Sequence, residues 1–295
     1  MAERLRCLVY YRLDYLTYRL VMQDRLVSLL KWFELRARVF QAGPLCRLAT
    51  YDAGDGLGYI HVLRGGCIHV ETVDRGLVRL DEPSLVFYMS PVTHRVSPVG
   101  EGADTVCASF EFGAGLNNPL VRALPDMVTV ALADLPNLAS TTEVLFREAS
   151  EQHCGRQAIL DRMIEVLIIQ LLRELMDQGR IESGLLAGLS NPRLAKAINA
   201  IHADPRKAWT LEELAGLASM SRARFALHFR ETVGSTPMAY LGEWRLSVAR
   251  SLLRLGKSVQ AVADAVGYGS ASALSRAFTA QTGMSPREWR LQERQ

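Results

Sequence analysis

Apolar residues recur with two different periods along this chain, and the change of period divides it. Between residues 37 and 112 they recur at every second position in short runs, separated by turns rich in glycine. From residue 119 onward they recur at intervals of three and four, as on one side of a helix. The pattern predicts an α+β chain in which many short strands, typical of a small barrel or sandwich, precede helices. The predicted strands are 37–40, 45–51, 59–63, 67–73, 77–80, 85–89 and 106–112.

Helical patterns flank the strand-rich part on both sides. Residues 1–35 are interpreted as an N-terminal helical extension, and the apolar stripe over residues 158–175 is wider than one packing interface needs. We expect the strands to cover one side of that stripe and a second protomer to cover the other, so residues 119–180 are interpreted as a helical dimerisation segment. Residues 181–190 contain glycine and serine and are predicted to be a linker. The apolar face of the extension consists of Leu26, Leu29, Leu30 and Phe33.

The same pattern occurs twice in the C-terminal part, at an offset of 49 residues. In the first copy, Thr210 and Glu213 have the spacing of a capping box, and Ser221 is placed to cap a second helix. Two short helices joined by a turn of small residues indicate a helix-turn-helix, so the chain contains two such units. The paired positions are Ser221 and Ser270, Phe225 and Leu274, Phe229 and Phe278, Gly234 and Gly283, Pro237 and Pro286, and Tyr240 and Trp289.

A long helix is predicted between the two copies. Thr236 and Pro237 are typical of a helix start, and the apolar spacing continues to Gly256. About 19 residues at about 1.5 Å each give a length of roughly 28 Å. One turn of B-DNA is about 34 Å, so a connector of this length lets two recognition helices enter successive major grooves on one face of the duplex. Asn191 and Pro192 are predicted to cap the first helix of this part.

The C-terminal part, residues 191–295, resembles the DNA-binding domain of the AraC/XylS family of bacterial transcription regulators. The resemblance rests on residues 209–215, on the connecting helix with Trp244, and on residues 262–268 and 283–286. Residues 36–118 resemble the cupin-like sensor half of some family members, in the stretches 59–65 and 90–94. The resemblance therefore implies a cupin-like β-barrel followed by an all-α domain with two helix-turn-helix units.

The resemblance also implies which side chains meet DNA. Base contacts are expected at Ala223, Ala226 and Leu227, whose apolar side chains can touch a thymine methyl but cannot make paired hydrogen bonds. In the second unit, Arg276 is expected to read a guanine. The complete candidate DNA-binding set is Arg222, Ala223, Arg224, Ala226, Leu227, His228, Arg230, Ser270, Ala271, Ser272, Ser275 and Arg276, of which Arg222, Arg224 and Arg230 are expected to bind phosphates.

The formal net charge of +3 is unevenly distributed. Residues 191–295 hold 15 Lys and Arg against 8 Asp and Glu, a net charge of +7, whereas residues 1–190 hold 19 against 23, a net charge of −4. A basic excess confined to the candidate DNA-binding part is what attraction to phosphates requires.

Neither a membrane span nor a signal peptide is predicted. Charged residues interrupt the apolar helix at 158–175, and the N-terminus carries charges and tyrosines where a signal peptide needs an apolar core. Five cysteines at scattered spacings indicate neither a disulfide framework nor a CxxC metal site. We expect a soluble cytoplasmic protein associated with the nucleoid, without a membrane partner.

Two histidines of the strand-rich part, His61 and His94, are candidate effector-sensing residues. Metal-binding cupins usually place two histidines two residues apart with a glutamate shortly after, and His69 before Glu71 lacks that second histidine. His61 is also compatible with a satisfied histidine in the core or at a pocket rim. We therefore predict no metal and no cofactor.

Two cysteines, Cys46 and Cys107, lie on predicted strands and are expected to oppose each other across the barrel. They are either buried small apolar residues or a thiol redox sensor. Arg47 beside Cys46 is the sequence neighbour that favours a reactive thiolate. Both interpretations remain open at the level of sequence.

These features indicate a sequence-specific transcription regulator, not an enzyme, whose sensor domain responds to a small molecule or an oxidant. The expected partners are double-stranded promoter DNA, a second copy of the chain and, for an activator, RNA polymerase. The alternatives are a cupin metalloenzyme, a DNA-repair protein carrying a DNA-binding tail, and an architectural DNA-binding protein. The repair alternative is disfavoured because no cysteine is flanked by Pro and His-Arg.

Overall fold

An antiparallel sheet occupies the N-terminal half of the computed structural model, which describes residues 24–73, 76–113, 120 and 125–292. Its seven strands have the order β1-β6-β3-β5-β7, with β2 paired to β6 and β4 paired to β3. All the described pairings are antiparallel. The strands are β1 Leu35–Leu45, β2 Ala49–Tyr51, β3 Gly58–Thr72, β4 Gly76–Leu80, β5 Ser84–Tyr88, β6 His94–Phe112 and β7 Val128–Ala131.

The two faces of the sheet bury different side chains, as the period of two predicts. On β3, Ile60 and Val62 join the larger core, which continues into the helices. Tyr59 and Leu63, on the opposite face of the same strand, belong to a second core cluster enclosed by the sheet. The sheet therefore has a helix-facing side and an interior side.

The sheet differs from the prediction at several points, and the predicted strand 45–51 is divided between the end of β1 and β2. The predicted strands 59–63 and 67–73 are one strand, β3, whose register shifts beside Gly66, where φ is 84°. Strand β6 likewise begins at His94 and continues through residues 98–102, well before the predicted strand 106–112. A positive-φ glycine bends a strand without ending it. Strand β7 lies within residues 119–180, so that segment is not entirely helical.

The helices largely follow the predicted patterns. The apolar pattern at 158–175 lies within α3, and the connecting helix α8 ends at Arg254, two residues before the predicted glycine. Among the described residues, no helix is both long and apolar enough to cross a membrane. The helices are α1 Val27–Trp32, α2 Ala139–Ser150, α3 Arg156–Asp177, α4 Leu185–Ser190, α5 Pro192–Ala203, α6 Leu211–Leu217, α7 Arg222–Val233, α8 Pro237–Arg254, α9 Val259–Val266, α10 Ala271–Thr282 and α11 Pro286–Gln292.

Residues 181–190 do not form the predicted loose linker. Most of the interval is helix α4, in which Leu185, Leu186 and Leu189 are buried. A Cβ atom at Gly188 would lie 2.6 Å from Ile198 Cδ1 and 2.8 Å from Val233 Cγ2. Gly188 therefore lets α4 pack closely against its neighbouring helices, and it does not make this interval flexible.

The N-terminal extension bridges the two halves of the chain. Residues 1–23 lie outside the described part, and the short helix α1 follows. Phe33 is fully buried and meets the Trp244 ring of α8 edge-on, with ring centroids 5.3 Å apart. Trp32 Nε1 donates to the His202 carbonyl at 3.0 Å, and the Ser251 hydroxyl donates to the Trp32 carbonyl at 3.0 Å. The extension is thus part of the core that joins the sheet to the C-terminal helices.

The Phe33 contact leads to a stability prediction. Replacing Phe33 by alanine leaves a cavity against Trp244, so we expect a loss of about 3–5 kcal/mol in the free energy of unfolding, measured by urea denaturation of the full chain. Val27→Ala on the same helix, where Val27 is 52% exposed, is the matched control and should change stability by less than about 0.5 kcal/mol. Equal effects of the two substitutions would contradict the bridging role.

Candidate nucleic-acid interface and sensor core

Two helix-turn-helix units with matching caps form the C-terminal part. The Thr210 hydroxyl and the Glu213 carboxylate form the predicted capping box at the start of α6. The Ser221 hydroxyl accepts from Arg224 N at the start of α7, and the Ser270 hydroxyl accepts from Ala273 N at the start of α10. The second helix of each unit is therefore set by the same local hydrogen bond.

Helix α7 divides into a buried and an exposed side. Phe225 and Phe229 are fully buried, as the sequence predicts. Ala223 is exposed, Ala226 is half-buried and Leu227 is 61% exposed. The exposed cations Arg222, Arg224 and Arg230 make no side-chain ion pair with any residue that the structure describes. Three free guanidinium groups and one large apolar side chain thus project from this helix.

His228 has a different position from the other α7 candidates. Its Nε2 atom lies 3.0 Å from Asn191 Nδ2, which can only donate, so Nε2 accepts this hydrogen bond. The Asn191 Oδ1 atom in turn accepts from the backbone nitrogens of Arg193 and Leu194 and so caps α5. We therefore assign His228 to holding α7 against α5. Residue spacing gave no signal of this pairing across 37 residues.

Helix α10 presents fewer charged groups than α7. Ser272 and Arg276 are exposed, whereas Ala271 and Ser275 are half-buried. The Ser270 hydroxyl is occupied by its capping bond. Thr279 is also exposed one turn beyond Arg276 and was missed by the sequence analysis. Its exposure next to Arg276 is the signal that marks Thr279 as a candidate, and the sequence alone does not show which side chains are exposed.

The connecting helix sets the distance between the two units. Helix α8 has 18 residues, which corresponds to about 27 Å at about 1.5 Å per residue. Its Trp244 is fully buried and stacks on His202 of α5, with ring centroids 3.7 Å apart. Helix α8 contacts α7 of the first unit and α9 of the second, so one continuous helix joins the two units as a spacer.

His61 and His94 meet in the interior of the sheet domain. Their Nε2 atoms lie 2.7 Å apart, and both side chains are almost completely buried. His94 Nδ1 donates to the Val92 carbonyl at 2.7 Å, because a carbonyl can only accept. The Nε2 atom of His94 therefore accepts from His61 Nε2, and the Nδ1 atom of His61 is buried without a hydrogen-bond partner. Spacing in the sequence did not reveal that these two candidates are in contact.

Both histidines of this pair are neutral in the folded chain. Burial holds the pKa of His61 well below its usual range, and the neighbouring His94 lowers it further. Burial also lowers the pKa of His94, although the hydrogen bond to Val92 opposes that shift. The rings of Tyr51 and Tyr88 stack on His94 with centroids 4.9 and 4.1 Å away. The sheet interior therefore holds an uncharged aromatic and imidazole cluster.

The two candidate cysteines do not oppose each other. Cys107 pairs in register with Gln41 of β1 and His61 of β3, whereas Cys46 lies just beyond the end of β1. Five residues of strand separate Cys46 from Gln41, a distance of about 16 Å at about 3.3 Å per residue, which is too far for a disulfide. Burial raises the pKa of the Cys107 thiol to about 12, while Cys46 is exposed. The predicted opposition across the barrel is therefore wrong.

The described part of the sheet interior does not assemble a set of three metal ligands. His69 and Glu71 alternate with the interior residues Ile68 and Val70 and so face away from His61. In the described chain, one group of three potential ligand residues has its ligand atoms close together, and it lies at the surface between α2 and α3. Its members are Glu148, Glu151 and His153.

The burial difference between the two thiols predicts their reactivity. In the native protein, iodoacetamide should modify Cys46, and it should modify Cys107 only after unfolding, because a buried thiol with a raised pKa supplies almost no thiolate. Peptide mass spectrometry measures both labels. Cys46→Ser is the control, in which Cys107 should remain unlabelled. Labelling of native Cys107 as fast as Cys46 would contradict the buried assignment.

Two sequence families match the chain: one described as Cupin matches residues 24–177, and one described as Helix-turn-helix domain matches residues 214–292. An AraC-like transcription regulator of Streptomyces lividans is 34% identical over 202 residues, 66% of each chain. The HTH-type transcriptional regulator AlkR of Acinetobacter baylyi is 36% identical over 186 residues, 60% of each chain. The chain thus spans slightly less than two thirds of these two relatives. The RCS-specific HTH-type transcriptional activator RclR of Escherichia coli is 30% identical over 243 residues, covering 80% of this chain and 84% of that protein.

Proposed function

Because this chain belongs to the AraC family of DNA-binding transcription regulators, we propose that α7 and α10 bind double-stranded promoter DNA and that the sheet domain controls this binding. The observation that carries the proposal is the pair of equally capped helices, α7 and α10, joined by the rigid helix α8. The relatives named above are transcription regulators, and no catalytic step is proposed here.

The charges on the two helices support DNA as the partner. The free guanidinium groups of Arg222, Arg224 and Arg230 surround the exposed side of α7 and are placed to bind phosphates. Arg276 is exposed on the corresponding side of α10 and makes no ion pair among the described residues. Helix α8 is about 27 Å long, and a connector of that length would suit two reading helices in successive major grooves, which are about 34 Å apart.

We propose the buried histidine pair as the place where a small-molecule effector acts. The unpartnered Nδ1 atom of His61 is costly in a buried cluster, and a ligand that donates a hydrogen bond to it would remove that cost. Phe40 is 44% exposed and lies 5.3 Å, between ring centroids, from Tyr51, which stacks on His94. An aromatic path thus runs from the surface to the pair. The exposed Cys46 thiol is the remaining candidate for an oxidant signal.

The signal would reach DNA through the extension that contains α1. Phe33 lies two residues before the start of β1, in which Gln41 pairs with Cys107 beside the histidine pair. The Phe33 ring also contacts Trp244 of the spacer helix. Arg25 also forms an ion pair with Asp177 at the end of α3. A shift of β1 would therefore alter how the spacer and both reading helices are held, and so change the fraction of molecules able to bind.

A second copy of the chain is the proposed occupant of an exposed apolar patch on α2 and α3. Val144 is 39%, Ile159 43% and Val166 47% exposed, although α3 is buried on its other side. Met163 and Ala158 line the same shallow cavity, whose volume is about 670 Å³. Apolar residues concentrated on one helix face indicate a protein interface. A dimer places two DNA-binding parts near each other, and RNA polymerase is a further partner if the protein is an activator.

Base reading by Arg276 has a distinct signature. Arg276→Ala should weaken binding by about 1–3 kcal/mol and relax specificity at one base pair, as measured by competition among single-base operator variants. Arg222→Ala is the contrasting control, because loss of a phosphate contact should weaken all sequences equally and reduce the salt dependence. An equal loss on every sequence with Arg276→Ala would contradict its reading role.

The patch on α3 gives a prediction about assembly. Ile159→Glu combined with Val166→Glu should convert dimer to monomer in sedimentation velocity, because two buried carboxylates without partners are costly at an apolar interface. Leu48→Glu, at an exposed leucine of the sheet domain, is the matched control and should remain dimeric. A double variant that sediments as the wild-type dimer would place the interface elsewhere.

A further inference from the structure

The internal repeat makes the two reading helices comparable position by position. Both α7 and α10 have 12 residues, begin after a capping serine and end before a glycine with positive φ. Their buried positions match at the offset of 49, since Phe225 and Phe229 correspond to Leu274 and Phe278. Leu227 and Arg276 therefore occupy the same place, the sixth residue of each helix, on the exposed side.

The side chain at this equivalent position is apolar in the first unit and cationic in the second. The Leu227 side chain is apolar, and the residue is 61% exposed. A leucine usually gains stability from burial, so its exposure on this helix is unusual. Arg276 offers a fork of hydrogen-bond donors that matches the two acceptors of a guanine in the major groove. An apolar side chain there matches the thymine methyl group. The two units thus present different recognition groups at an equivalent point.

The flanking positions differ as well. Arg222, Arg224 and Arg230 of α7 correspond to Ala271, Ala273 and Thr279 of α10. The first unit therefore carries the free cations that bind any sequence, and the second carries a single cation at the central position.

We propose that this position fixes the base read at one equivalent point of each unit, so that the operator contains a thymine contacted by Leu227 and a guanine read by Arg276 about one helical turn away. The inference rests on the proposed DNA-binding function and names the DNA sequence class that it selects. Because α7 and α10 share caps and core positions, the preference is transferable: an arginine at position 227 should read guanine as Arg276 does. Leu227 is then a specificity-determining residue that binds without hydrogen bonds.

The test uses the full chain and selection from a random duplex library, with wild type, Leu227→Arg and Leu227→Ala. The Leu227→Arg variant should exchange one T·A pair for G·C, about 10 base pairs from the Arg276 guanine, and leave the rest of the motif unchanged. Because position 227 is exposed, thermal melting should match wild type and serves as the folding control. An unchanged motif with Leu227→Arg would overturn the inference.

A second measurement isolates the methyl group. Deoxyuridine in place of the selected thymine removes only the C5 methyl, and wild-type affinity should fall about fourfold, the equivalent of one buried methyl group. Leu227→Ala should bind the thymine and uracil operators equally. Equal wild-type affinity for the two operators would overturn the role of Leu227 while leaving DNA binding intact. If wild type selects no motif at all, the proposed function itself fails.

Discussion

The buried ring of Trp244 is the junction on which the arrangement of this chain depends. It stacks on His202 of α5 and meets Phe33 of the N-terminal extension edge-on. Burial lowers the pKa of His202 to about 3, so the stack is uncharged, and His202 Nε2 lies 2.5 Å from the Tyr240 hydroxyl. The spacer helix and the bridge to the sheet domain therefore share one core. Through this one residue, the helix that joins the two helix-turn-helix units contacts both α5 and the extension that leads into the sheet.

The two helix-turn-helix copies share their structural positions but expose different side chains. Folding requires the cap, the apolar pair and the final glycine in each copy, and these positions match between the copies. The outward positions carry no such constraint, because a substitution on an exposed helix side changes stability by less than about 0.5 kcal/mol. The copies differ most there, with arginines in one and small residues in the other. The proposed difference between phosphate binding by α7 and base reading by α10 is compatible with that freedom.

Local signals were sufficient to predict the C-terminal helices, because a cap such as Thr210 with Glu213 acts within one helical turn. Local signals did not predict features that depend on residues far apart in the sequence. Gly188 suggested flexibility, yet it is required by close approach to Val233, which lies 45 residues away. The contact between His61 and His94 likewise depends on the path of β6 across the sheet, and nothing in either local sequence encodes it. Burial of Cys107 follows from the same path.

The central claim is that α8 holds α7 and α10 rigidly on one face of DNA. Hydroxyl-radical footprinting of the full chain on a selected operator tests it most directly, because cleavage reports protection of each nucleotide. The account predicts two protected stretches on the same face of the duplex, with centres about one helical turn apart. A single protected stretch, or two stretches on opposite faces, would contradict the rigid spacing of the two units.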